Sequence, residues 1–157
     1  MIGNEPTPPS PPATPSETDS AVDPMARMRH DLRTPAASIQ GYAEMLQEEA
    51  GERGLAQWLP DLHRIETAGR RLVELIREEL SPERISSGRV DLRHLHAELR
   101  APLNHALGYS EILMEQAAEE PALSLVPDLQ KIHDAARRFL RMVDSSLVPS
   151  RFVLTGP

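Results

Sequence analysis

From Met25 onward the apolar residues Met25, Met28, Leu32, Ala36, Ile39, Ala43 and Leu46 recur at steps of three and four. That is the a/d spacing of a helix burying one stripe. Asp23-Pro24 suits its start, since an acceptor side chain caps exposed N–H groups and Pro fits the first helical position. The stripe stops in Gln47-Glu48-Glu49-Ala50-Gly51-Glu52-Arg53-Gly54, whose paired glycines suit a helix end and a turn. A second stripe follows, formed by Leu59, Leu62, Ile65, Gly69, Leu72, Ile76 and Leu80, with Pro60 tolerated in its first turn. Two stripes joined by a short loop predict an antiparallel helical hairpin over residues 23–80.

Residues 81–90 (SPERISSGRV) read as a polar linker, after which the pattern repeats at an offset of 67 residues. Leu32, Arg33, Pro35, Gly41, Tyr42, Glu44 and Leu46 meet Leu99, Arg100, Pro102, Gly108, Tyr109, Glu111 and Leu113. Pro60-Asp61-Leu62, Ile65, Ala68 and Arg70-Arg71 meet Pro127-Asp128-Leu129, Ile132, Ala135 and Arg137-Arg138. Any two amphipathic helices share a stripe, but chance rarely also matches the Pro, Gly-Tyr and Arg-Arg positions. A second hairpin is therefore expected over 91–148, with loops of equal length in the two copies and a short tail at 149–157. Residues 1–22 are dominated by Pro, Ser, Thr and acidic groups and carry too little apolar surface to offset ordering entropy, so a disordered tail is expected there. A proline-rich docking motif is the other reading of that stretch.

Composition sharpens the fold class. Six Met, two Phe, two Tyr and one Trp in 157 residues leave a core of Leu, Ile, Val, Met and Ala, which suits helix-on-helix packing: all-α is expected, with the two hairpins closing a four-helix bundle. A net charge of -7 argues against nucleic acid and anionic lipid as partners. The absence of cysteine removes disulfides, thiolate metal sites and thiol nucleophiles. No apolar run approaches the ~20 residues that span a bilayer, and the first residues lack a signal-peptide pattern, so a cytoplasmic location is expected.

The chemistry-bearing string is Arg29-His30-Asp31-Leu32-Arg33-Thr34-Pro35, running on through Ser38-Ile39-Gln40-Gly41-Tyr42. At about 100° per residue, His30 lies roughly 200° from both Met28 and Leu32, so it points away from the core. Thr34 shares its face four residues on, Arg33 flanks it, and Asp31 is its neighbour. An exposed imidazole can reach a phosphoryl group in line, while an adjacent carboxylate can fix its tautomer and take up its proton. Pro35 should bend the helix one turn beyond His30.

This string resembles the phosphoacceptor box of sensor histidine kinases, the dimerisation and histidine phosphotransfer domain of two-component signalling. The resemblance implies that His30 is the phosphoacceptor, that Asp31 assists as acid or base, and that Thr34 takes part in the reverse, phosphatase reaction. It also associates the bend at Pro35 with switching between states.

The offset maps His30 to Ala97 and Thr34 to Ala101, while Asp31 becomes Glu98, Arg33 remains Arg100 and Pro35 remains Pro102. The second copy keeps the scaffold and loses the reacting groups. His96 is rotated about 100° from the emptied slot and His105 lies two turns further along, so both read as surface histidines, a shifted acceptor being the alternative. His63, His94 and His133 show no ligand spacing, and no metal site is expected.

No Asp-x-Gly-x-Gly string or Walker-type loop occurs in these residues, and too few follow Leu147 to encode a nucleotide-binding domain. No cofactor is expected on this chain, ATP and Mg²⁺ belonging to a kinase domain acting in trans. A response-regulator receiver domain is the other expected partner. Three readings stay open: a phosphotransfer protein, a non-catalytic module that binds a receiver or a kinase, and a generic bundle or part of a longer protein. For assembly, an intramolecular pseudo-dimer competes with a true homodimer.

Overall fold

The computed structural model describes Gly3 and residues 17–146. Apart from Gly3, the stretch before Glu17 and the tail expected at 149–157 lie outside the described residues. Five helices follow one another: α1 (Glu17–Glu52), α2 (Leu59–Glu79), α3 (Pro82–Ser87), α4 (Leu92–Gln116) and α5 (Val126–Ser146). Among the described residues there is no strand, and no helix is long and apolar enough to cross a membrane. The all-α reading holds.

The four long helices form a ring in which α1 packs on α2, α2 on α4, α4 on α5 and α5 back on α1. The two expected hairpins thus stand side by side, each covering the stripe of the other. Leu32, Ala36, Ile39, Ala43 and Leu46 are all buried, as are Leu62, Ile65, Gly69, Leu72, Ile76 and Leu80. Met25, Met28 and Leu59, at the margins of the stripes, are half-buried. Burial itself repeats at the 67-residue offset. Leu32, Pro35, Leu46, Ala50, Leu62, Leu72 and Ile76 are buried, and so are Leu99, Pro102, Leu113, Ala117, Leu129, Phe139 and Val143. The largest side chain of the core, Phe139, fills the position that Leu72 occupies in the first hairpin.

Two boundaries differ from the sequence reading. Helix α1 begins at Glu17, six residues ahead of Asp23-Pro24, and runs unbroken through Pro24 and Pro35. Extending an existing helix adds about one backbone hydrogen bond per residue, so a single proline near its start does not set its end. The presumed polar linker contains α3. Ser81 caps it by accepting from the Arg84 N–H at 3.2 Å, Pro82 occupies its first turn, Ile85 is buried, and Gly88 closes it at φ 70°, the left-handed turn that favours glycine. Asp91 then caps α4 by accepting from the His94 N–H at 3.0 Å.

The loops are also unequal. Helix α1 runs on to Glu52, but α4 stops at Gln116 although α2 and α5 start at equivalent positions. Each loop carries a single-turn helix directly before the helix that follows, Ala56–Trp58 in the first and Ala122–Leu125 in the second. Arg53 donates from Nη1 to the Ser124 hydroxyl and so ties the two loops together at one end of the bundle.

Candidate functional site

Helix α1 presents His30, Asp31, Arg33 and Thr34 to solvent while burying Leu32 and Pro35 between them. The alternation follows from helical period: Leu32 and Pro35 lie on the stripe, and the four polar residues occupy the remaining arc. His30 and Thr34 are one turn apart on the same face. Among the described residues no ion pair engages Asp31, so its carboxylate stands open beside the imidazole. Pro35 has no N–H to donate to the carbonyl four residues back, so the Asp31 carbonyl loses its helical partner next to His30.

The neighbouring helix completes this face in a way the box alone did not reveal. Lys131 of α5 places Nζ 5.3 Å from the centroid of the Tyr42 ring, within range of a cation–π contact. The same contact recurs across the bundle, where the Arg64 guanidinium of α2 lies 5.5 Å from the Tyr109 ring of α4. Tyr42 and Tyr109 are 67 residues apart, and so are Arg64 and Lys131. Each hairpin therefore lends a cation to the tyrosine of the other, and the two faces are related by an approximate two-fold. The repeat relates Lys131 to Arg64 and Tyr42 to Tyr109, but only the bundle order pairs each cation with its tyrosine.

On the second face, Ala97 and Ala101 are exposed where His30 and Thr34 stand on the first. Glu98 keeps the acidic position and lies 3.6 Å from Arg71 of α2. A groove of about 510 Å³ opens here between α2 and α4, lined by Arg64, Arg71, Glu98, Ala101, His105 and Tyr109 among others. Arg100 is exposed, 3.8 Å from Asp144.

The remaining histidines are spread out. His96 is partly buried and 3.4 Å from Asp144. His105 is exposed, its ring centroid 6.1 Å from that of Tyr109. His133 binds Glu111 at 2.8 Å through Nε2, His63 lies 3.6 Å from Glu66, and His94 is exposed. Among the described residues no three His, Cys, Asp or Glu side chains form a group able to hold a metal ion.

Between α1 and α2, Gln47 donates to Glu66 at 2.7 Å, and Arg70 adds a bond at 2.5 Å. The Gln47 hydrogen bond, aided by the Arg70 charge, holds the Glu66 carboxyl below its ordinary value despite partial burial.

Residues 25–88 match the model of the His Kinase A (phospho-acceptor) domain. These residues belong to the histidine-kinase phosphoacceptor family. The match spans the His30 string, the rest of the first hairpin and α3. Sensor histidine kinase AruS of Pseudomonas aeruginosa is 31% identical over 125 residues, covering 79% of this chain and 12% of that protein. The cell-division control histidine kinases PdhS of Brucella ovis and Brucella abortus are each 27% identical over 141 residues, covering 85% of this chain and 13% of theirs. The chain thus spans about one eighth of the length of these relatives. No solved structure matches it significantly.

Proposed function

We propose that His30 is a phosphoacceptor that exchanges a phosphoryl group with a kinase ATP-binding domain in trans, with a response-regulator receiver domain, or with both. The observation that carries this reading is the outward placement of His30, with Asp31 open beside it, on a helix of the phosphoacceptor family. In the forward step a ring nitrogen of His30 attacks the γ-phosphorus of ATP held by the partner. The N–P bond forms as the bond to the ADP oxygen breaks, and the imidazole proton passes to the Asp31 carboxylate or to water. The receiver step runs the same exchange onto an aspartate. ATP and Mg²⁺ are supplied on the partner in this scheme, and this chain contributes no cofactor site of its own.

Arg33, beside the reacting atom, offsets phosphoryl charge. Thr34, one turn away, positions a water in the reverse, phosphatase direction. Pro35 weakens the helix beside the acceptor, which favours rearrangement between kinase and phosphatase states.

The second hairpin is, on this reading, a degenerate copy, with Ala97, Glu98 and Ala101 in the emptied slot and Pro102 retained. It serves as a binding half rather than a reacting half. Packing of all four long helices within one chain supports a monomeric pseudo-dimer; a clear dimer mass in light scattering at low concentration would overturn that assembly.

The test is incubation with a histidine-kinase catalytic domain and labelled ATP, or with a phosphorylated receiver. Acid-labile, base-stable label is expected on the wild type and absent from His30→Ala. Label that persists in His30→Ala would end the assignment.

A further inference from the structure

We propose that Arg29 and Arg33 of α1 and Arg77 of α2 form a binding site for the dianionic phosphoryl group once it sits on His30, and that the second hairpin has closed the equivalent site with a carboxylate. The inference rests on the reading of His30 given above and adds the side chains that hold its product.

The second hairpin shows the arrangement in its neutralised form. There Asp144 of α5 lies 3.4 Å from His96 and 3.8 Å from Arg100, both on α4, so one acid is shared by two basic side chains. Subtracting 67 turns His96, Arg100 and Asp144 into Arg29, Arg33 and Arg77. The acid at the centre has become a third cation. Packing of α1 on α2 places these residues at one level independently of the repeat. Gly69 of α2 faces Gln40 of α1, since a Cβ added to it would lie 2.7 Å from the Gln40 backbone nitrogen. Arg33 stands about two turns back from Gln40 and Arg77 about two turns on from Gly69, which in an antiparallel pair is the same height.

Guanidiniums gathered in this way lack a counter-charge. Among the described residues no ion pair engages Arg29, Arg33 or Arg77. Glu74, one turn before Arg77, lies 3.7 Å from Arg71 instead. Asp31 is about 160° round α1 from both Arg29 and Arg33, on the other flank of His30. Arg29 and Arg33 are also one turn apart, a like-charge spacing that costs helix stability unless an anion offsets it. The group that His30 carries after transfer fits that need. A phosphorylated side chain bears about -1.5 to -2 charges near pH 7 and three acceptor oxygens, and guanidiniums bind such oxygens in a planar fork. Arg33 is one turn from His30, and the Arg33 and Arg77 side chains are exposed, so both can turn toward the phosphoryl oxygens. The silent face, with Ala97 in the acceptor position, has no such product to hold, and there Asp144 supplies the negative charge permanently.

Phosphoramidate supplies the test, because it transfers its phosphoryl group to an imidazole nitrogen with release of ammonia and needs no partner protein. The full chain is phosphorylated in this way, the His30 adduct is identified by its loss in His30→Ala, and its phosphorus NMR resonance is followed against pH. Arginines that contact the phosphoryl group favour its dianion over its monoanion. The wild-type midpoint is therefore expected at least about 0.5 pH unit below that of Arg77→Asp, with Arg77→Lys in between. The Arg77 Nε–H resonance should also move when His30 is phosphorylated, which an arginine serving only the fold would not do. Unphosphorylated Arg77→Asp should melt no lower than the wild type, because the new carboxylate would face Arg29 and Arg33 as Asp144 faces its pair. Equal midpoints, an unmoved Arg77 resonance, a lower melting point for Arg77→Asp, or a His30 that takes up no phosphoryl group overturns the site. Equal midpoints leave the phosphoacceptor reading standing, whereas failure of the enzymatic labelling described above, with the titration as expected, overturns that reading alone.

Discussion

Replacing Gly69 by alanine probes how closely the two helices of the first hairpin approach. Gly69 is buried on α2, and a Cβ added there would lie 2.7 Å from the backbone nitrogen of Gln40 and 2.9 Å from its Cα. Both are backbone atoms of α1, so no side chain can swing aside, and α1 must retreat by about 0.7 Å to reach an ordinary 3.4 Å contact. Overpacking of this kind costs about 1–3 kcal/mol, against which the higher helix propensity of alanine returns up to ~1 kcal/mol. The net expectation is a loss of about 1–2 kcal/mol. Gly41 supplies the control, since it is an exposed helical glycine with nothing within 4 Å of an added Cβ. Gly41→Ala should therefore be stabilising by about 0.5–1 kcal/mol. Urea unfolding followed by far-UV circular dichroism separates the two, and thermal midpoints should move in opposite directions by roughly 4 °C per kcal/mol. A Gly69→Ala chain as stable as Gly41→Ala would refute the close approach.

Glu66 makes stability depend on acid. Its folded carboxyl titrates below the ordinary value because Gln47, and then Arg70, favour the ionised form. A depressed carboxylate contributes stability that is fully present above the unfolded value of ~4.3 and is lost as pH falls through the folded value. Glu66→Gln should flatten that part of the urea midpoint profile between about pH 6 and about pH 3; an unchanged slope would contradict the assignment. Asp31→Asn tests proton handling at the acceptor: phosphoryl transfer to His30 should slow by about 10²-fold or more. Melting should stay put, because Asp31 is exposed and makes no ion pair among the described residues; an unaltered transfer rate would remove Asp31 from the scheme.

The hairpin cores were legible because burial leaves a period. Every stripe residue from Leu32 to Leu46 and from Leu62 to Leu80 is inside. The solvent-facing placement of His30 was legible for the same reason, from its offset to Met28 and Leu32. Helix ends were not, because they depend on local competition rather than on a repeating pattern. Pro24 does not stop α1, α4 ends earlier than the repeat predicts, and Ser81 with Gly88 turns a polar stretch into a capped helix. The Tyr42–Lys131 contact needed the bundle order, since nothing local to either residue says that α5 lies beside α1.

Helix α3, short as it is, changes the order of the assembly reaction. A bundle built from two separate hairpin chains forms by a second-order encounter, thins out on dilution and can trade halves with any sequence bearing a compatible stripe. Here the halves are joined through a capped turn of helix, and a short connection holds them at an effective concentration on the order of millimolar. Closure is then first-order. On the pseudo-dimer reading proposed above, the degree of pairing would not follow cellular abundance, and each bundle closed within one chain would carry one His30.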